Sequence, residues 1–501
     1  MYKILKADKD AYITNKIINS VRAVSGNTGL AGTLDLFKVY GMSDNTPPDT
    51  ELSRLLVHFN LDPIRQMITD GELDISNGSF YCKLNLKDVY GGQPTPSNFI
   101  VDIFPLSASF TEGLGKDIVY YSDNDNCNFL SSSFDVPWIL SGCASGGGAT
   151  AQCDYITGTT NISSTKKTQQ FITGEEDLLV DVTNLISATL TGEIPDRGFR
   201  ISFDSTYETN QHTYFVKRFA SKNAFNEDKH PKLLIGYDDS ILDDTQNLSF
   251  DSTQNLFLYN YAQGSLSNIV SGSASTQING SNSLTLKLTT PISGGFYTLY
   301  FTGSQHRVGI NSYSGIYSAS IFVSSSTTTI ASKLRLSSSI EFTPVWGSLD
   351  GTVSYLTGSK ISMFPSARTT TNQIAKKFII SVLGLNSVHR SDENISLRLN
   401  IFDHTSPLIK VVRTPIELPG LVIRNVYYAI RDVLTNEYTI PFDTTHNSTK
   451  VSSDASGMFF KLDITNLTKE RSYVIDILII TSNNQQKYLS VSSIFKVSDL
   501  V

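Results

Sequence analysis

Apolar and polar residues alternate along this chain in short runs, mostly with a period of two. RLLVHF at 54–59 and KLLIGY at 232–237 are apolar at successive positions, while LTLKL at 284–288 alternates in this way. That period places alternate side chains on opposite faces of a strand. Runs of this kind, bounded by Gly, Asn, Asp, Ser and Pro, predict strands throughout. In the first part they fall at 11–14, 33–40, 55–60, 81–86, 99–106, 177–182, 198–203, 214–219 and 232–237. Further strands are predicted at 256–259, 284–288, 295–302, 315–323, 340–343 and 353–355, and then at 378–383, 396–402, 438–440, 458–464, 472–480 and 488–497. Asn77-Gly78 and Asn279-Gly280 are turn signals.

Helical periodicity is scarce. DTELSRLL at 49–56 has Asp49 or Thr50 as an N-cap and Glu51 in a first turn, but runs equally well into a strand. EEDLLVDVTNLI at 175–186 reads either way. The fold class expected is all-β: three β-sandwiches in series over 1–239, 240–368 and 369–501. The first is a larger, jelly-roll-like sandwich and the others are immunoglobulin-like. In the third, LDITNLTKERSY at 462–473 leads into a long strand, as where an aromatic closes a sheet corner. A Gly-, Ser-, Asn- and Asp-rich stretch, 111–167, interrupts the first region. It is too long for a plain connection, and the expectation is that a partner orders it rather than its own core.

Composition supports this picture and narrows the function. Of the 501 residues, 40% are hydrophobic and 17% charged, the charge being replaced by Ser, Thr, Asn and Gly. Phe and Tyr (27 and 23) far outnumber Met and Trp (5 and 2), as β-sandwich cores favour. The net charge of −7 and the absence of any Lys/Arg run longer than two argue against nucleic acid as a partner. The N-terminal MYKILKADKD lacks the apolar core of a secretory signal, and no apolar run has the length of a membrane span. Synthesis in a cytoplasm and no membrane insertion are therefore expected.

Candidate chemistry is sparse. Cys82, Cys127, Cys143 and Cys153 lack metal-ligand spacing. They read chiefly as reduced buried thiols, with a disulfide across the 143–153 loop as the alternative. Asp123-Asn124-Asp125-Asn126 begins like a calcium loop but lacks the Gly and Glu that complete one. Glu175, Glu176 and Asp177 are adjacent in sequence rather than opposed across a cleft. No nucleotide, hydrolase or zinc-protease motif occurs, so no catalytic residue, cofactor or metal is nominated and the chain is expected not to be an enzyme. Trp138, Tyr120 and Tyr121 in the long insertion are candidate partner or glycan contacts.

Six segments of the first region carry a family resemblance: DAYITNK at 10–16, LDLFKVYG at 34–41, RLLVHFNLDPI at 54–64, GFRISF at 198–203, FVKRFASKN at 215–223 and HPKLLIGYDD at 230–239. Together they resemble the disaggregatase-type, carbohydrate-binding-like β-sandwich modules of secreted polysaccharide-active proteins and of tailed-phage particles. The resemblance implies a virion structural protein made in the host cytoplasm. Its place would be a tail, baseplate, neck or fibre, with other virion proteins as oligomeric partners. A glycan-binding adhesin or receptor-binding protein is the alternative.

Overall fold

The computed structural model describes residues 1–40, 50–70, 72–76, 78–89, 95–119, 125–145, 153–240, 248–262, 265–271, 276–308, 311–365, 377–403, 422–454, 457–481 and 484–499. The chain divides into two compact units. One is Tyr2–Gly236 and the other is Tyr237–Val501 together with Met1. The expected boundary at 368/369, Asn77 of the first turn signal, and Tyr120 and Tyr121 lie outside the described residues.

Tyr2–Gly236 is a β-sandwich. One sheet runs in the order Tyr2–Lys6, Lys232–Gly236, Tyr81–Leu86, Leu178–Asp181. The other runs Lys167–Phe171, Phe99–Pro105, Phe199–Phe203, Thr50–His58, Thr33–Tyr40, Tyr214–Ala220. Lys9–Thr14 joins it against residues 53–58 of the long strand Thr50–His58. Every pairing is antiparallel. Leu55, Leu56 and Val57 are all fully buried, though alternate residues face opposite ways. A second layer therefore covers the outer face of this sheet, which is why RLLVHF is apolar at successive positions instead of alternating.

Residues 50–56 of the 49–56 segment form strand, not helix: Thr50–His58 pairs on both edges, and tertiary pairing overrides its capping signals. The ambiguous 175–186 splits into the strand Leu178–Asp181 and the helix Thr183–Leu190. A helix at Asp62–Thr69, with Pro63 in its first turn, was not predicted; its two turns give Ile64, Met67 and Ile68 a single i, i+3, i+4 set, too short a pattern to stand out beside strand signals.

In the second unit, eight of the described strands between Leu248 and Phe364 form one sheet folded over a single core, and four short ones form two separate two-stranded pairs. Strand Ile340–Gly347 makes the fold. Its first residues pair Ile361–Phe364, and its later ones pair Leu284–Ile292 and Ser354–Thr357. The strands from Phe378 to Val497 form two sheets, one of four strands and one of six. The first runs Phe378–Leu383, Asn394–Asp403, Gly457–Asp463, Ser452–Asp454. The second is built around Ser472–Thr481 and Val426–Asp432, with Val388–His389 entering parallel to Phe495–Val497. This is the immunoglobulin arrangement of strands. The expected aromatic corner is Tyr473, fully buried, whose hydroxyl accepts from the Thr468 amide at 2.9 Å.

Candidate functional site

The layer over the outer sheet face is the insertion itself. Its described residues are ordered by contacts within the chain, which corrects the expectation that a partner orders them. Trp138, Phe110, Cys127 and Cys143 pack on Ala11, Ile13 and Leu56 of the sheet. The polar residues that suggest a flexible loop are instead buried and bind its backbone. Asn27 donates to the Glu112 and Cys127 carbonyls and accepts from the Gly115 amide. A Cβ on Gly115 would lie 2.0 Å from the Asn27 carbonyl oxygen, so glycine is needed for close approach. Asn128 accepts from the amides of Leu130 and Ser131, and Asp154 from those of Ile139 and Leu140.

Two buried arginines on the sheet grip this cover by its main chain. Arg54 donates to the Gly142 carbonyl and pairs with Glu208 at 2.8 Å. Arg200 donates to the Cys143 carbonyl at 2.8 Å and lies over the Tyr155 ring, 4.6 Å from its centroid. Burial lowers the Arg200 pKa. Around Arg54 burial acts the same way, but the Glu208 carboxylate prevails and raises it.

At the end of the cover, Lys166 bridges Asp102 (2.8 Å) and Asp204 (2.7 Å). Burial pushes Asp102 up to about 6 against the pull of Lys166. Asp204 is held below the usual carboxylate range, burial being outweighed by hydrogen bonds from Lys166 and Thr206. Two carboxyls with divergent pKa values are the signature of an acid–base pair. Here the Lys166 ammonium pairs with both carboxyls and Asp102 is buried, so the trio acts as a clamp.

The residues nominated from sequence are placed as follows. Trp138 is only 4% exposed, and its indole N–H donates to the Asn128 carbonyl at 2.9 Å. It pins the cover to the sheet and offers no stacking surface, a correction to its nomination as a contact. Cys82, Cys127 and Cys143 are buried and Cys153 half-buried, all as free thiols. Burial raises the Cys143 thiol to about 12. Glu176 accepts from the Ile172, Thr173 and Gly174 amides, and Asp177 pairs with Lys87, so the acidic run is absorbed in turns. Among the described residues no cluster of metal-ligating side chains occurs, and no helix is long and apolar enough to cross a membrane.

What the sequence reading missed is the outer face of the cover. Strands Ser131–Ser133 and Val136–Pro137 form a hairpin with Phe134-Asp135 at its tip. Asp135 takes a left-handed conformation in that turn. Leu130, Phe134, Val136, Ile139 and Leu140 are all exposed within eleven residues, Phe134 at 69%. Pattern alone does not separate these outward residues from the inward Trp138, because the hairpin is too short to show a period.

No protein-family model matches the chain, and no curated protein matches it. Among solved structures it is similar to the N-terminal Ig1-2 module of the Drosophila receptor protein tyrosine phosphatase DLAR, at 9% identity and a TM-score of 0.15. That match covers 50% of this chain and 93% of the other. It is also similar to the FN1-FN3 domains of chicken CNTN1, at 10% identity and a TM-score of 0.15, covering 81% and 100%. The sandwich assignment rests on the sheets described above.

Proposed function

We propose that this chain is a non-catalytic structural component of a tailed bacteriophage particle, acting through protein–protein contacts in a tail, baseplate, neck or fibre. In this reading the N-terminal sandwich is a disaggregatase-type, carbohydrate-binding-like module whose outer face has been given over to its own insertion. The particle is assembled from chains made in the host cytoplasm.

The observation that carries the proposal is the apolar hairpin on a rigid cover. Exposed apolar side chains clustered on a fixed scaffold are the usual composition of a protein-binding patch. Buried Trp138, Arg54 and Arg200 hold that scaffold, so Phe134 is presented at little ordering cost.

Mass spectrometry of purified particles is the direct test, with this chain expected at a stoichiometric level. Phe134→Asp is expected to leave melting unchanged and to abolish incorporation into particles. Absence from the particles, or normal incorporation of the variant, refutes the proposal. The burial of Trp138 withdraws one support for glycan binding at the insertion.

A further inference from the structure

The outer face of the folded sheet between Leu248 and Phe364 has a chemistry of its own. Leu284, Leu286 and Leu288 point into the core, so their neighbours on the strand point out. Lys287 lies directly across from Tyr300, with Thr285 opposite Thr302 and Thr289 opposite Thr298. Thr343 and Val345 continue these rows on the next strand. Phe296 and Tyr300 stand on the same face, 74% and 67% exposed. Four residues of strand separate them, about 13 Å.

Charge on this face is sparse, and Glu341, on the strand of Thr343 and Val345, is paired with Lys360 at 3.1 Å. Strands Thr253–Tyr259, Leu284–Ile292, Gly295–Val308 and Asn311–Phe322 contain no Asp or Glu, in a chain that has 47. Their cations are Lys287 and Arg307. The Lys287 ammonium lies 5.9 Å from the Tyr300 ring centroid, which joins a positive charge to a stacking surface.

We infer that this face binds an extended polysaccharide bearing carboxylate groups. The flat aromatic rings stack on apolar sugar faces, the threonine rows exchange hydrogen bonds with sugar hydroxyls, and Lys287 pairs with a carboxylate. The separation of the two rings requires several sugar units rather than one. Hydroxyls outnumber cations, which favours a glycan over single-stranded nucleic acid, whose binding draws on many phosphate contacts. The site is separate from the hairpin proposed to contact other proteins, and either can fail without the other.

Affinity electrophoresis of the full chain tests the inference, in gels containing polygalacturonate, alginate, hyaluronate or neutral dextran, with oligo-dT as a further probe. Retardation is expected with at least one acidic polysaccharide and not with dextran. Tyr300→Ala and Phe296→Ala should each weaken it about three- to tenfold. Lys287→Gln should remove the preference for acidic over neutral polymer, and all three variants should melt as the parent does. The inference is overturned by no retardation on any acidic polysaccharide, by retardation that survives Tyr300→Ala and Phe296→Ala together, or by tighter binding to oligo-dT than to any glycan.

Discussion

Arg54 sits in the middle of an apolar strand, where alternation alone would send a charged side chain to water. Its burial is explained only by Glu208, 154 residues away in sequence, and by the Gly142 carbonyl. No local pattern announces such a pairing. Removing one partner strands the other charge, so Arg54→Ala should destabilise the N-terminal unit by about 3–5 kcal/mol. Replacing Arg54 and Glu208 together by apolar residues should cost much less. Urea unfolding of both variants measures the difference.

His58 makes a second residue-scale prediction. It is held between Asp8 at 2.6 Å and Asp196 at 3.5 Å. Burial pulls its pKa down, but the two carboxylates prevail and raise it to about 9. A histidine raised in the fold stabilises it fully below its ordinary pKa of about 6.5. That stability is lost as pH rises through about 9. The urea midpoint should therefore fall between pH 6.5 and 9 by an amount equal to about 1–2 kcal/mol, and His58→Gln should flatten that slope.

Elements were legible where one face met a core and the other met water. The third region is the clearest case, and Tyr473 was readable because its hydroxyl closes a corner only five residues long. Tyr473→Phe should cost about 1–2 kcal/mol by leaving the buried Thr468 amide without that acceptor, read as a shift in the unfolding midpoint. The cover was misread for a physical reason. Asn, Asp and Gly signal turns through local hydrogen bonds, and composition cannot tell whether those bonds are made in water or in a packed layer. Asn27 lies 85 residues before Glu112, whose carbonyl it holds. Partners that distant leave no trace in a window of ten residues.

The whole molecule has separate cores in its two compact units. Independent cores melt independently unless a strong interface couples them. Calorimetry should therefore show more than one transition. Trp138→Ala removes a large buried side chain from the cover and should lower one of them, by about 3–5 kcal/mol in stability, while the others stay in place.

The grip of Arg54 and Arg200 on the carbonyls of Gly142 and Cys143 bears on how such a surface can change over generations. Every residue type supplies a carbonyl, so these two anchors are indifferent to most of the side chains they hold down. Gly142 and Cys143 are the exceptions: both backbones are left-handed, Cys143 is fully buried, and a Cβ on Gly142 would lie 2.5 Å from Phe129 and 2.9 Å from the Arg54 guanidinium. With Gly142, Cys143 and the buried Trp138 fixed, the outward residues of the hairpin can be rewritten without loosening its mount. A lineage under pressure to follow a drifting partner could then alter specificity at Leu130, Phe134 and Val136 while inheriting the fastening unchanged.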